Sequence, residues 1–279
     1  MPVSPTVLSD ILSTPAGLPA SFGIAGVIAL AAQRAGSLSW SGAAAAVTIG
    51  AVALRVGWGW GALLIAWFVL ASLLSRAGRA RKARLTAAIV EKGDRRDALQ
   101  VFANGGLFAA AALVPLTASL DAGYAAAAAI TGAAALAAAG ADTWATELGT
   151  LGGARPWSLR ERRRVAPGTS GAVSLQGTVA SLVGAFVIAA LAAALGVVPQ
   201  EVVPAVVAGG FVGSLVDTLI GAWWQSRRWC PACSLATERH VHTCGTPTRA
   251  AGGLRALDND GVNFLCTAVG ALVALLLGT

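Results

Sequence analysis

The residues that invite a chemical reading are acids set in apolar surroundings. Asp142 and Glu147 stand at the end of a long Ala-rich run, and Asp217 lies inside another. Asp258 and Asp260 stand at the mouth of a third, with Asn263 just inside. An acid near mid-membrane costs about 3 kcal/mol or more, so it marks a functional site by default. The bland alternative is polar glue between helices. Gly213, Asp217 and Gly221 are four apart, which puts the acid between two side-chain-free positions on one helix face. Asp142, Thr146 and Gly149 share a face in the same way. Glu147 falls roughly 140° from Asp142 at about 100° per residue. It therefore reaches a different neighbour, or the helix breaks near Gly149. Gln100 and Asn104, at i and i+4, share a face of a further apolar run.

Two more segments carry chemistry. Arg162-Arg163-Arg164 precedes a Pro167-Gly168-Thr169-Ser170-Gly171 turn that leads into a helix with Ser174 at its start. Glycines permit an anion nest, a helix N-terminus points free N–H groups at an anion, and Arg forks suit phosphate. The plain alternative is a basic loop ending in an ordinary cap. Beside buried carboxylates, the combination points to phosphate with Mg²⁺, which takes one or two carboxylates plus phosphate oxygens. No Walker sequence is present, so nucleotide chemistry here is not P-loop chemistry. The second segment is Cys230-Pro-Ala-Cys233, followed by His240, His242 and Cys244. It suffices for a tetrahedral Zn²⁺ site, with His242 preferred to His240 as the fourth ligand. Free thiols are the alternative. Cys266, inside the last apolar run, reads as a small apolar residue.

These groups must be positioned by apolar helices. Of 279 residues, 56% are hydrophobic and 12% charged, about half the charge of a soluble domain, and mean hydropathy is +0.70. An ordinary soluble domain and a disordered chain are both excluded, leaving an all-α, polytopic integral membrane protein. The runs predict about eight transmembrane helices over 18–36, 38–54, 57–74, 98–117, 122–147, 173–197, 203–225 and 261–278, with an inter-helix site on the cytoplasmic side. The polar connections are 75–97, 148–172 and 226–260; the others, such as 119–123, are very short. With eight spans, every Lys and Arg except Arg55 falls on one side. That bias assigns the long loops to the cytoplasm and both termini to the outside of the inner membrane. It also accounts for the net charge of +7 without nucleic acid. Residues 1–17, with Asp10 and no basic start, do not read as a signal peptide. Trp58 and Trp60 are expected in an outer aromatic belt, and Trp157, Trp223, Trp224 and Trp229 near the inner interface. The chain divides into an N-terminal three-helix segment, 1–75, and a catalytic membrane domain, 76–279, which includes the Cys/His loop.

The run from Ala141 to Gly149, with Asp142, Thr146 and Glu147, and the run Gly168-Thr169-Ser170-Gly171-Ala172-Val173-Ser174 resemble the integral-membrane phytyl-phosphate kinase family, which includes transmembrane protein 19-like proteins. The segments around Gln100 and Asn104, Gly213 to Thr218, Leu257 to Asn263 and the Cys230/Cys233/His242/Cys244 loop fit the same family, so the resemblance covers about residues 90–279. Dolichol kinases and CDP-diacylglycerol synthases are distantly similar. The resemblance implies phosphorylation of a prenyl monophosphate by CTP or another nucleoside triphosphate, giving the diphosphate. The acceptor is already an anionic oxygen, so positioning, metal and positive charge matter more than a general base. On this reading Asp142, Asp217 and Asp258 or Asp260 bind Mg²⁺. Glu147 and Asn104 complete the catalytic set, and Gln100 with Asn104 orients one phosphate. Arg164, Gly168, Thr169, Ser170, Gly171 and Ser174 bind the triphosphate. Two further readings are a cytidylyltransferase acting on a lipid phosphate and a transporter or lipid-handling protein without catalysis.

Overall fold

The computed structural model describes residues 17–91, 93, 95–117 and 121–279. The signal-peptide reading of the first residues, Lys92 and residues 119 and 120 of the 119–123 connection lie outside the described residues. Each of the eight apolar runs is a helix: α1 (Gly17–Arg34), α2 (Trp40–Val56), α3 (Trp58–Arg76), α5 (Ala98–Leu113), α6 (Ala122–Leu151), α7 (Leu175–Ala194), α8 (Val203–Trp223) and α9 (Asn259–Gly278). One further helix, α4 (Arg79–Thr86), lies in the first polar connection. Among the described residues six helices are long and apolar enough to cross a membrane, namely α3 and α5 to α9, with α5 and α8 extended by short 3-10 turns. Eight helices thus stand where eight were expected, but length and composition qualify six as crossings. At 17 residues, α2 is shorter than those six.

Four helix starts, those of α2, α5, α7 and α9, are capped by side chains that accept otherwise unpaired N–H groups. Ser39 Oγ accepts from Gly42 N, Ser174 Oγ from Gly177 N and Asp258 Oδ1 from Gly261 N. Asp97 and Gln100 form a reciprocal capping box at the start of α5.

The 30-residue α6 is the central helix, contacted by α3, α5, α7, α8 and α9. Its stretch from Ala133 to Ala139 is almost wholly alanine and fully buried. With little hydrophobic drive between helices in lipid, close approach through small residues supplies the packing. Gly213 shows the effect: a Cβ there would stand 2.6 Å from Cys266 O and 2.8 Å from Ala138 Cβ. Ile49, Ala53, Trp60, Leu63 and Trp67 share one buried cluster with Phe108, Leu136 and Ile188. The segments 1–75 and 76–279 therefore build a common core.

Trp60 departs from the expected belt. It is 8% exposed and packs on Phe108 with ring centroids 5.1 Å apart. Trp58, two residues earlier and so on another helix face, is exposed, as are Trp157, Trp223, Trp224 and Trp229.

The polar connections hold two small antiparallel sheets that hydropathy did not predict. β1 (Trp157–Ser158), β2 (Arg163–Arg164) and β3 (Ala172–Val173) are ordered β2-β1-β3, with Trp157 opposite both Arg164 and Val173. β4 (Arg227–Cys230), β5 (Leu235–Thr237) and β6 (Arg249–Gly252) are ordered β5-β4-β6, with Cys230 opposite Leu235. Strands of two to four residues are too short to show an alternation period.

Candidate active site

A cavity of about 1120 Å³ opens at the end of the bundle where α6 and α8 finish and α5, α7 and α9 begin. All three long polar connections contribute to its wall: Thr86 and Glu91 from the first, Gly168 to Ser170 from the second and Glu238 from the third. Asp142 and Asp217 both line it, their carboxyl groups near enough to interact. Carboxylates only accept hydrogen bonds when ionised, and Asp217 Oδ2 is shut off from solvent without a donor. Asp258 and Asp260 line the same cavity from the start of α9. An acid pair in which one oxygen lacks a donor, with further carboxylates in the wall, fits the hard oxygen set that Mg²⁺ prefers.

Glu147 takes the first of its two expected alternatives. The helix runs on to Leu151, and the side chain reaches a different neighbour. Ser75 Oγ donates to Glu147 Oε1 at 2.6 Å, and Lys82 Nζ forms an ion pair with Oε2. Lys82 also donates to Leu74 O and Ser75 O at 2.8 and 2.9 Å, so all three of its donors are used. Glu147 therefore holds α4 and the end of α3 to the cavity wall. Gln100 and Asn104 both face the cavity, but Gln100 Oε1 accepts from Asp97 N and Asn104 Nδ2 donates to Gln100 O.

The 168–171 turn is in the wall, with positive φ at Gly168 and Gly171. Its hydroxyls have partners within the protein. Thr169 Oγ1 donates to Ala166 O and Ser170 Oγ to Glu238 Oε1. Gly171 serves packing, since a Cβ would stand 2.2 Å from Ala222 Cα at the end of α8. Ser174 caps α7 and also lines the cavity. Arg164, expected on the triphosphate, lies outside the wall. It is exposed on β2, and Nη1 donates to Arg155 O at 2.8 Å. The cations in the wall include Arg79, Arg96, Arg228 and Arg255.

Glu238 and Lys82 were not singled out from sequence. Lys82 carried one signal, being one of two lysines in an Arg-rich chain. Glu238 follows β5 and accepts from Ser170 Oγ and from Gln225 Nε2 at 2.9 Å. Burial pushes its carboxyl above the usual glutamate range, and those two hydrogen bonds pull it back in part.

Cys230, Cys233, His242 and Cys244 gather outside this cavity, with their ligand atoms all within 4.8 Å of one another. His242 Nδ1 lies 3.3 Å from Cys244 Sγ. Three sulfurs and one imidazole at this spacing fit a closed tetrahedral Zn²⁺ site. His240 is not among them and faces the large cavity. The module clamps the first polar connection: Thr237 Oγ1 and Glu238 N both donate to Ile89 O, and Arg239 Nη1 donates to Val90 O.

Comparison with known proteins agrees with a membrane bundle. Protein PGR of Arabidopsis thaliana is 28% identical over 262 residues, covering 87% of this chain and 89% of that protein. An uncharacterised membrane protein of Methanocaldococcus jannaschii is 29% identical over 218 residues, covering 77% and 74%. Protein VTE6, chloroplastic, of Arabidopsis thaliana is 28% identical over 137 residues, 49% of this chain and 34% of that protein. No solved structure matches. The model of the family described as integral membrane protein DUF92 matches residues 23–271, and the chain belongs to that family.

Proposed function

We propose that the cavity transfers the terminal phosphoryl group of a nucleoside triphosphate, CTP on the motif resemblance, to a prenyl monophosphate of phytyl or geranylgeranyl type. The observation that carries this reading is the placing of Asp142 near Asp217 in the wall of one cavity that also holds several guanidinium groups. Acids that would hold Mg²⁺ beside cations that hold phosphate are the parts that phosphoryl transfer needs. The motifs at Ala141–Gly149 and Gly168–Ser174 supply the reaction class.

An oxygen of the lipid phosphate forms the new P–O bond as the bond from the terminal phosphorus to the nucleoside diphosphate breaks. The bonding pair leaves with the diphosphate, so no proton need be removed from the acceptor. Asp142 and Asp217, with Asp258 or Asp260, would hold Mg²⁺, which when bound neutralises phosphate charge. Arg228 would grip the donor. Its Nε and Nη2 are fixed on Thr248 Oγ1 and O at 2.7 and 2.9 Å, which aims the group without a large entropy cost. The Cys/His module would hold Zn²⁺ and thereby set Glu238 and Arg228 in the wall. The cavity would open to the cytoplasm, where the nucleotide is, as the positive-inside bias of the loops implies.

The test is incubation of the purified protein with Mg²⁺, CTP labelled at the terminal phosphate and a panel of prenyl monophosphates. Labelled prenyl diphosphate with release of CDP is expected. Release of pyrophosphate would replace the kinase by a cytidylyltransferase, and no nucleotide consumption with any acceptor or donor would overturn both.

A further inference from the structure

A second opening, of about 70 Å³, lies among the three N-terminal helices and α5. Its lining includes Ala29 of α1, Ala46 and Gly50 of α2, Phe68 of α3 and Gly105 of α5. Every lining side chain is apolar or aromatic except that of Arg96. Arg96 also lines the large polar cavity, so the two openings meet at this residue.

Arg96 is held there from both directions. Its backbone N–H donates to Ser37 O and its carbonyl accepts from Ser39 N, both at 3.0 Å, which ties it to the α1–α2 turn. Its guanidinium lies 5.7 Å from the Phe68 ring centroid, with Nη1 3.3 Å from Ser72 Oγ. The helix that follows separates the two openings by its own period: Gln100 and Asn104 face the polar cavity, whereas Val101 and Gly105 face the cleft.

We propose that this cleft seats the head-proximal hydrocarbon of a single-chain phosphate lipid whose anionic head pairs with Arg96 in the polar cavity. This rests on the phosphotransfer reading for the identity of the cavity, and it gives α1 to α3 a role as the acceptor-lipid subsite. A cleft with apolar walls in a bilayer is filled by hydrocarbon, and a guanidinium at one end selects hydrocarbon that carries an anion. The size sets the class of lipid. A cleft this far below the usual range for small-molecule sites of roughly 300–1,000 Å³ has room for a short stretch of one slim chain and not for two side by side. The donor is then left the part of the cavity wall that holds Arg228.

The experiment is photolabelling of the full chain in nanodiscs with a geranylgeranyl monophosphate that carries a diazirine in its first isoprene unit, followed by peptide mapping. Label is expected on α1 to α3 and the first half of α5. Unmodified geranylgeranyl monophosphate should compete for it; geranylgeraniol, inorganic phosphate and a diacyl phosphatidic acid should not. Arg96→Gln should lower labelling at least tenfold and Arg96→Lys should restore most of it. Ala46→Phe, at a half-buried lining position, should abolish labelling at an unchanged melting temperature, and Ile65→Trp replaces it if that variant does not fold. Label on α7 or α8, equal competition by the alcohol or by phosphatidic acid, or labelling untouched by the filled cleft would each overturn the proposal. Labelling is read without turnover. Intact labelling with no nucleotide consumption would sink the phosphotransfer and leave the cleft standing. Turnover with label elsewhere would do the reverse.

Discussion

At the scale of single residues, two acidic side chains that look alike in the sequence have different surroundings. Asp217 meets another acid and has an oxygen with no donor. Glu147 meets a serine and a lysine. Asp217→Asn should therefore reduce turnover at least about a hundredfold, since charge aimed at the reacting phosphate is lost. Its melting temperature should not fall, because the amide supplies the N–H that the acceptor pair lacks; a lower melting temperature would make Asp217 a structural acid. Lys82→Met should behave in the opposite way. It leaves a partly buried carboxylate without its cation, which costs about 3–5 kcal/mol. The double variant Lys82→Met/Glu147→Gln should recover most of that loss in denaturant unfolding. For the arginines, Arg228→Ala should raise the apparent Michaelis constant for the nucleotide roughly tenfold to a hundredfold, from a charged hydrogen bond of about 1.5–3 kcal/mol. Arg164→Ala should leave it unchanged in steady-state kinetics with each substrate varied separately.

At the scale of elements, the site is assembled by parts that are not membrane helices. α4 is fastened to α3 and α6 through Lys82. Cys230 ends β4, and the loops of the β4–β6 sheet bring Cys233, His242 and Cys244 to it, while Glu238, next after β5, lines the cavity. Gly171, at φ +71°, lets the second connection lie against α8, an approach any side chain would block. If the Cys/His module holds zinc, removing the metal should loosen the wall as well as the module. Protein prepared without chelator should carry close to one zinc per chain, and Cys230→Ser should lower zinc content, melting temperature and nucleotide affinity together. Elemental analysis without zinc would remove the metal from the account.

At the scale of the whole molecule, polar groups are gathered at one end of an apolar bundle, and all three long connections reach that end. Its side of the membrane is testable by single cysteines placed at exposed Arg163 and Arg255 in a background with the four natural cysteines changed to serine. An impermeant maleimide should label both only from the cytoplasmic side; labelling from the outside would invert the orientation.

Hydropathy located all eight helices to within a few residues, because transfer into lipid is additive along the chain and needs no knowledge of neighbours. The acids, the phosphate-type turn and the Cys/His spacing were legible for a related reason: each is a local cluster of types that chemistry restricts. Partner choice was not legible. Glu147 and Lys82 are 65 residues apart, and their meeting depends on how α4 folds back onto α6. Trp60 became a core residue and Trp58 an exposed one through the rotation of α3 against α5 and α6. Arg164 was drawn away from the cavity by strand pairing in β1–β2 too short to leave a sequence signal. The sequence by itself determined which segments are apolar helices and which clusters of side chains are candidates for chemistry, since both are properties of residue type and spacing. Only the tertiary structure decided which of those side chains face one another, because contact depends on helix rotation and on backbone approach between segments far apart in the chain.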